Sequence, residues 1–236
     1  MARLTAAAVK REVGALKEPE RALFLERFFR TGAGEYAEGD RMLGLSVPDQ
    51  RVIAKAFRGL PLDEVRRLLG SEFHEHRLIA LLILVDQHKR ADDAGRRVLH
   101  RFYLENLAGV NNWDLVDTSA AELVGEHLEE DPAVLAGLVD SPVLWHRRIA
   151  MVSTFAELRK GRTALTFRVA ERLLGDQHDL IHKATGWLLR EAGKRSQEDL
   201  LEFLRKQYAR LPRTTLRYAI ERLDALDRRQ WLLGPQ

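Results

Sequence analysis

Five segments of this chain can be laid over one another at a nearly constant spacing. With HRLIALLILVD, NNWDLVDTSAA, RRIAMVSTFAE, HKATGWLLREA and LRYAIERLDAL aligned, Arg77, Asn112, Arg148, Lys183 and Arg217 fall in register at steps of 35, 36, 35 and 34. A period of that length, made of two helices, is the mark of an α-solenoid, in which each helix pair buries its apolar face against the next. Such a stack curves, and the second helix of each pair lines its concave side. The register therefore predicts one basic residue per repeat projecting from the start of each inner helix, a stripe broken only at NNWD, and so a concave basic face.

The rest of the pattern agrees with an all-α fold. Seven Pro and 16 Gly punctuate the chain, and between them apolar residues recur at spacings of 3, 4 and 7, with no sustained alternation. The helices expected include 19-PERALFLERFFR, 48-PDQRVIAKAFRG, 61-PLDEVRRLLG, 73-FHEHRLIALLILVDQHK, 164-ALTFRVAERLLG and 180-LIHKATGWLLREAGKR. A further one, 141-SPVLWHRRIAMVSTFAELRK, would be capped by Ser141 with Pro142 at its first position. Gly70 and Gly175 end helices, and Asp131-Pro132 opens another. We expect a single domain over 1–236, with divergent N-terminal helices and a Gly-rich, acidic loop (31-TGAGEYAEGDRMLGLSVPD) in 1–60 and about five two-helix repeats in 61–236.

Composition narrows the chemistry. With 236 residues and 45% hydrophobic content, the chain can bury a full core. Without Cys it has no disulfide, thiolate metal site or cysteine nucleophile, which suits a reducing compartment. The start, MARLTAAAVKREV, lacks the apolar core of a signal peptide, and LIALLILV at 78–85 is too short to cross a bilayer, so a soluble protein of the bacterial cytoplasm or nucleoid is expected. The net charge of +3 hides an asymmetry: residues 1–140 hold 19 Lys and Arg against 24 Asp and Glu, and residues 141–236 hold 19 against 11. A basic half beside an acidic one suggests a polyanionic partner, and an Arg-rich solvated surface would give the same count.

NNWDLVD at 111–117 stands out among helices filled with Leu, Ala, Val and Arg. On a helix, Trp113 and Asp117 share a face, whereas Asp114 points about 100° away and is free to cap or pair locally. Arg148 follows one repeat later, then Lys183 with Trp187 four residues on. Inner helices pack roughly 8–10 Å apart, close enough for these side chains to converge on one wall. Each of them alone has a structural explanation: a Trp at helical spacing is usually core, and an Asp is usually the partner of an Arg. Two aromatics, an acid and a base in one register are harder to explain that way.

At these residues the chain resembles a known family. WDLVD at 113–117, WHRRIA at 145–150 and KATGWLLREAGK at 183–194, with GLSVPDQR at 44–51 as a weaker match, are similar to motifs of the HEAT-like-repeat DNA alkylation repair proteins, the AlkD-type alkylpurine DNA glycosylases. The resemblance implies a monofunctional glycosylase that hydrolyses the N-glycosidic bond of cationic N3- and N7-alkylated purines in duplex DNA; a monomer is the default for a curved solenoid wrapping a duplex, and no cofactor or metal is expected. It places Trp113 and Trp187 against the lesion's deoxyribose, makes Asp117 the catalytic carboxylate and gives Arg148 the DNA backbone beside it. Tyr36 is placed like a third aromatic of the family cleft. Asn112 stands where a second aromatic often precedes the Trp. With Arg77, Arg147, Lys183, Arg190 and Arg217, these two are the expected DNA contacts.

The residue types suit that reaction. A cationic alkylpurine is already a good leaving group, so the main task is to stabilise an oxocarbenium-like sugar. An anionic Asp117 can do this while orienting water, and the negative π-faces of the indoles can assist. A noncatalytic repeat scaffold explains the period and the basic stripe equally well, but not an acid inside that stripe. A family member that binds DNA with an altered lesion preference is a second alternative. A metal hydrolase is the third, given eight His, of which His74 and His76 stand only two apart.

Overall fold

The computed structural model describes residues 4–234. Residues 1–3 and 235–236 of the expected domain lie outside them. The helices form two compact units, Met1–Leu123 and Val124–Gln236. The first holds α1 (Ala6–Ala15), α2 (Pro19–Phe29), α3 (Val47–Ala56), α4 (Leu62–Leu69), α5 (His74–Arg90), α6 (Asp93–Glu105) and α7 (Trp113–Leu123). The second holds α8 (Pro132–Val139), α9 (Leu144–Ser153), α10 (Phe155–Arg159), α11 (Ala164–Leu173), α12 (Asp179–Gly193), α13 (Gln197–Gln207), α14 (Arg213–Ala219) and α15 (Ala225–Leu233). Short 3-10 turns join some of them, and among the described residues the sole β-type pairing is an isolated bridge between Arg41 and Phe73. This is the all-α array of HEAT-like repeats that the period predicts.

In the first unit α5 is the central helix. Residues 78–85, the LIALLILV run, are buried on every side because α3, α4, α6 and α7 all pack on α5. Full burial of each Leu or Ile contributes about 1.5–3 kcal/mol, which explains an apolar run with no polar face. The GLSVPDQR segment sets the entry to α3. Gly44 has φ +90°, and a Cβ there would come within 2.2 Å of the Glu18 carbonyl oxygen, so only glycine fits. Glu75, buried in the first turn of α5, accepts hydrogen bonds from the Leu43 and Gly44 N–H groups, and Ser46 caps α3 by accepting from Asp49 N–H.

In the second unit α12 has the central place, with α9, α11, α13 and α14 against it. Its closest neighbour is α14. Gly186, inside the KATGWLLREAGK motif, permits the approach: a Cβ there would lie 2.5 Å from the Tyr218 Cβ and 2.6 Å from the Thr215 carbonyl oxygen.

The expected helix over 141–160 is corrected twice. It starts at Leu144, not at Pro142. The Ser141 hydroxyl accepts from Val143 N–H and bonds His146 Nδ1, and Arg147 Nη1 donates to the Ser141 and Pro142 carbonyls, which fixes this stretch as a turn. The helix also breaks after Ser153. Ser153 and Thr154 turn their hydroxyls onto the carbonyls of Ala150 and Met151, and such local bonds compete with the helical ladder. Gly175 stands directly after Leu174, the C-cap of α11, where a terminating glycine belongs.

Gly186→Ala should destabilise the chain by about 1–3 kcal/mol through overpacking. Gly137→Ala, at an exposed site in α8 where a Cβ meets nothing within 4 Å, should instead stabilise it by up to about 1 kcal/mol. Urea unfolding midpoints of the two variants check the contrast.

Candidate functional site

The polar segment that begins α7 is bound into a buried ion cluster. His74 Nε2 lies 2.8 Å from Asp114 Oδ2, and its Nδ1 lies 3.3 Å from Asp40 Oδ2. Arg77 Nη2 lies 2.7 Å from Asp40 Oδ1. Asn111 and Asn112 both donate side-chain N–H to Asp40. Asn112 also starts α7: its backbone carbonyl accepts from Val116 N–H, and its Oδ1 accepts from Trp113 N–H. Two carboxylates, one guanidinium and one imidazolium sum to zero charge, the condition under which such a cluster tolerates burial.

The titration of these groups follows from their neighbours. Burial works against a charged His74, but the Asp114 carboxylate and the hydrogen bonds to Asp114 and Asp40 outweigh it and Arg77, and lift its pKa to about 9. Burial pushes Asp40 the other way, yet the His74 hydrogen bond and the Arg77 charge hold it below the usual carboxylate range. Elsewhere in the first unit, burial lowers His76 and His88 to about 4, so both are neutral.

With Asp114 committed to His74, Trp113 and Asp117 face elsewhere. The Trp113 ring stacks on Phe29 at 5.3 Å between centroids and meets Phe28 edge-on at 6.1 Å, and the same Phe29 ring lies 4.8 Å from His74. Phe28 and Phe24 are 54% and 65% exposed and stack on each other. These α2 rings are site neighbours that the sequence reading missed; the signal was a helix, PERALFLERFF, with more large apolar residues than one buried face needs. Asp117 is half-buried one turn after Trp113. The Tyr103 phenol, raised by burial, is raised further by the Asp117 charge against the opposing Ser119 hydrogen bond. Ser119 Oγ donates to the Leu115 carbonyl, which leaves Tyr103 Oη to donate to Ser119. Tyr36 is half-buried in the turns between α2 and α3.

In the second unit, α12 presents Lys183 and Trp187 four residues apart. Trp187 is half-buried, with Phe155 at 6.0 Å. Lys183 pairs with Asp179 at 2.8 Å. Arg148 is buried on α9, and its Nη1 donates to the Leu180 carbonyl at 2.6 Å, fastening the first turn of α12. Arg190 pairs with Glu221 and Glu191, and Arg217 is exposed.

The expected stripe of projecting cations is therefore corrected. Arg77, Asn112 and Arg148 are buried and bonded inside the fold, and of the register residues Lys183 and Arg217 reach solvent. The register itself shifts by one residue. Ser71 Oγ bonds His76 Nδ1 and accepts from Phe73 N–H, and Arg77 Nη1 donates to the Ser71 carbonyl. Ser141 Oγ bonds His146 Nδ1 and accepts from Val143 N–H, and Arg147 Nη1 donates to the Ser141 carbonyl. The structural counterpart of Arg77 is thus Arg147, whose Nε also lies 2.6 Å from Asp176. Both arginines lock a turn.

His178 and His182 stand four apart, but His178 accepts from Leu180 N–H and His182 bonds the Asp176 carbonyl. Among the described residues no cluster of three or more potential metal ligands forms, and no helix is long and apolar enough to cross a membrane.

Compared with known proteins, residues 9–223 match the family model described as DNA alkylation repair enzyme. No curated protein matches the chain. Among solved structures, one described as a predicted DNA alkylation repair enzyme from Enterococcus faecalis matches with a TM-score of 0.69 at 18% identity, covering 89% of this chain and 97% of that one. At that identity the likeness speaks to the fold.

The buried groups predict how stability varies with pH. His74 has a folded pKa above the unfolded value of about 6.5, so its contribution is complete below that pH and is lost as pH rises towards about 9. His76 and His88 have folded values below it, so theirs is complete above pH 6.5 and is lost as pH falls towards about 4. Asp40 adds a loss at still lower pH. Urea midpoints should peak near pH 6.5, and His74→Asn should remove the alkaline decline. A wild type equally stable from pH 6.5 to 9 would contradict the charged His74.

Proposed function

Because the chain belongs to the DNA alkylation repair enzyme family, we propose that it releases cationic N3- and N7-alkylated purines from duplex DNA by hydrolysing the N-glycosidic bond. The observation that carries this reading is the arrangement on α7. Asp117, half-buried, sits one turn beyond Trp113, which packs with Phe28 and Phe29. An acid beside aromatic rings is the combination that an oxocarbenium-like sugar requires.

In this reaction the C1′–N bond breaks and its electron pair neutralises the purine cation, so no acid is needed to protonate the leaving base. Water supplies the new C1′–O bond and gives up a proton to Asp117 or to solvent. Asp117 stabilises the developing positive charge and orients that water, and Trp113 presents its face to the deoxyribose; the same role for Trp187 rests on the family resemblance alone. Arg148 is a positioning residue, acting through its bond to the Leu180 carbonyl on the helix that carries Lys183 and Trp187. Lys183 and Arg217 reach solvent and would meet phosphates, and Arg190 joins them if its pairing with Glu221 exchanges for a phosphate. Tyr36 adds an aromatic side chain from the preceding loop. The proposed partner is duplex DNA bearing alkylated purines, bound by a monomer without metal or cofactor.

The test is release of N7-methylguanine and N3-methyladenine from methylated duplex DNA. Asp117→Asn should lower the single-turnover rate by about 10²–10³-fold with DNA affinity little changed, as expected for a group that acts on transition-state charge. Equal rates would remove Asp117 from the chemistry. Undetectable release by the wild type, with DNA still bound, would identify a binding scaffold.

A further inference from the structure

The last helix, α15, begins beyond residues 9–223, the part that matches the family model. It has no buried residue. Its hold on the fold is polar and aromatic. Tyr208 Oη donates to the Trp231 carbonyl at 2.8 Å, Arg213 Nη2 donates to the Leu232 carbonyl at 3.0 Å, and the Tyr208 and Trp231 rings lie 6.0 Å apart. None of these contacts uses Leu226 or Leu233, which are 74% and 77% exposed.

Leu233 borders two clefts. One, of about 730 Å³, runs past Arg205, Tyr208, Asp227 and Trp231. The other, of about 410 Å³, lies between α14 and α15 and is lined by Leu232 and Leu233 together with Arg217, Glu221, Arg228 and Arg229. Of the carboxylates nearby, Glu221 pairs with Arg190, Asp224 accepts from the N–H groups of Leu226 and Asp227 and feels the charge of Arg228, and Asp227 faces the first cleft. Arg217, Arg228 and Arg229 make no ion pair among the described residues.

We propose that the α14–α15 groove docks an acidic amphipathic segment of a partner protein, with apolar side chains over Leu233 and carboxylates on Arg228 and Arg229. Charge complementarity selects an anion. The leucines then decide which one, because a DNA backbone supplies phosphates for the guanidiniums and nothing to cover apolar surface, whereas an acidic segment with leucines supplies both. Arginine suits such a rim because its planar fork matches a carboxylate in two bonds.

The test is fluorescence anisotropy on the full chain with a labelled synthetic peptide carrying leucines at helical spacing and Asp or Glu between them. The control is the same peptide with Asn and Gln in place of the acids, and a labelled unmodified duplex is the third probe. The acidic peptide should bind at least ~10-fold more tightly than its amide control, and Arg228→Glu with Arg229→Glu or Leu233→Ser alone should weaken it ~10-fold or more. Base release from methylated DNA should be unchanged in these variants, which separates this surface from the proposed glycosylase site. Equal binding of the two peptides would overturn the proposal. So would a double variant that loses duplex affinity while peptide binding is unaltered, because the surface would then belong to DNA.

Discussion

His74 is held between two carboxylates, and much of the first unit is arranged around that fact. Its two ring nitrogens face Asp114 and Asp40, each an acceptor. Both nitrogens must therefore donate, so the ring is a cation. Arg77 supplies the second positive charge, and the cluster balances. Through it the loop after α2, the first turn of α5 and the entry to α7 become one polar unit. Removing any single member would leave a buried charge without its partner, which is far more destabilising than the intact cluster is stabilising.

The cluster also explains why a polar run interrupts an apolar repeat. Asn111 and Asn112 donate to Asp40, Asn112 starts the helix and Asp114 holds His74. Three of the four polar residues of NNWDLVD are thus structural, and the fourth, Asp117, follows Trp113 by one turn. Phe29 links the two halves of this arrangement, with His74 near one side and Trp113 stacked on it. The buried ions fix the helix start, and the helix start fixes the direction of Trp113 and Asp117 one turn apart.

Periodicity made the helices legible because each must bury an apolar face, and most expected segments are helical where the spacing placed them. The fate of the register cations was not legible. A spacing of 35 residues says that Arg77 and Arg148 recur, but not whether a guanidinium meets solvent or a carbonyl one turn away. The clue was local: Ser71 and Ser141 each precede a His-Arg pair by the same interval, and that pattern aligns Arg77 with Arg147. The aromatic neighbours of Trp113 were hidden for a different reason. Phe28 and Phe29 come from α2, far away in sequence, and no repeat relates α2 to α7. The break between α9 and α10 came from Ser153 and Thr154, whose hydroxyls bond backward to carbonyls, a choice that hydrophobic spacing does not record.

The cluster requires His74 to be an imidazolium in the folded protein, since a neutral ring would leave one net negative charge and could donate to only one of its two carboxylates. The measurement that decides this is nitrogen-15 NMR of the labelled histidine side chains at neutral pH, with His74 assigned by comparison with His74→Asn. Both ring nitrogens of His74 should carry protons until the pH approaches about 9. A single-proton tautomer of His74 at pH 7 would contradict this.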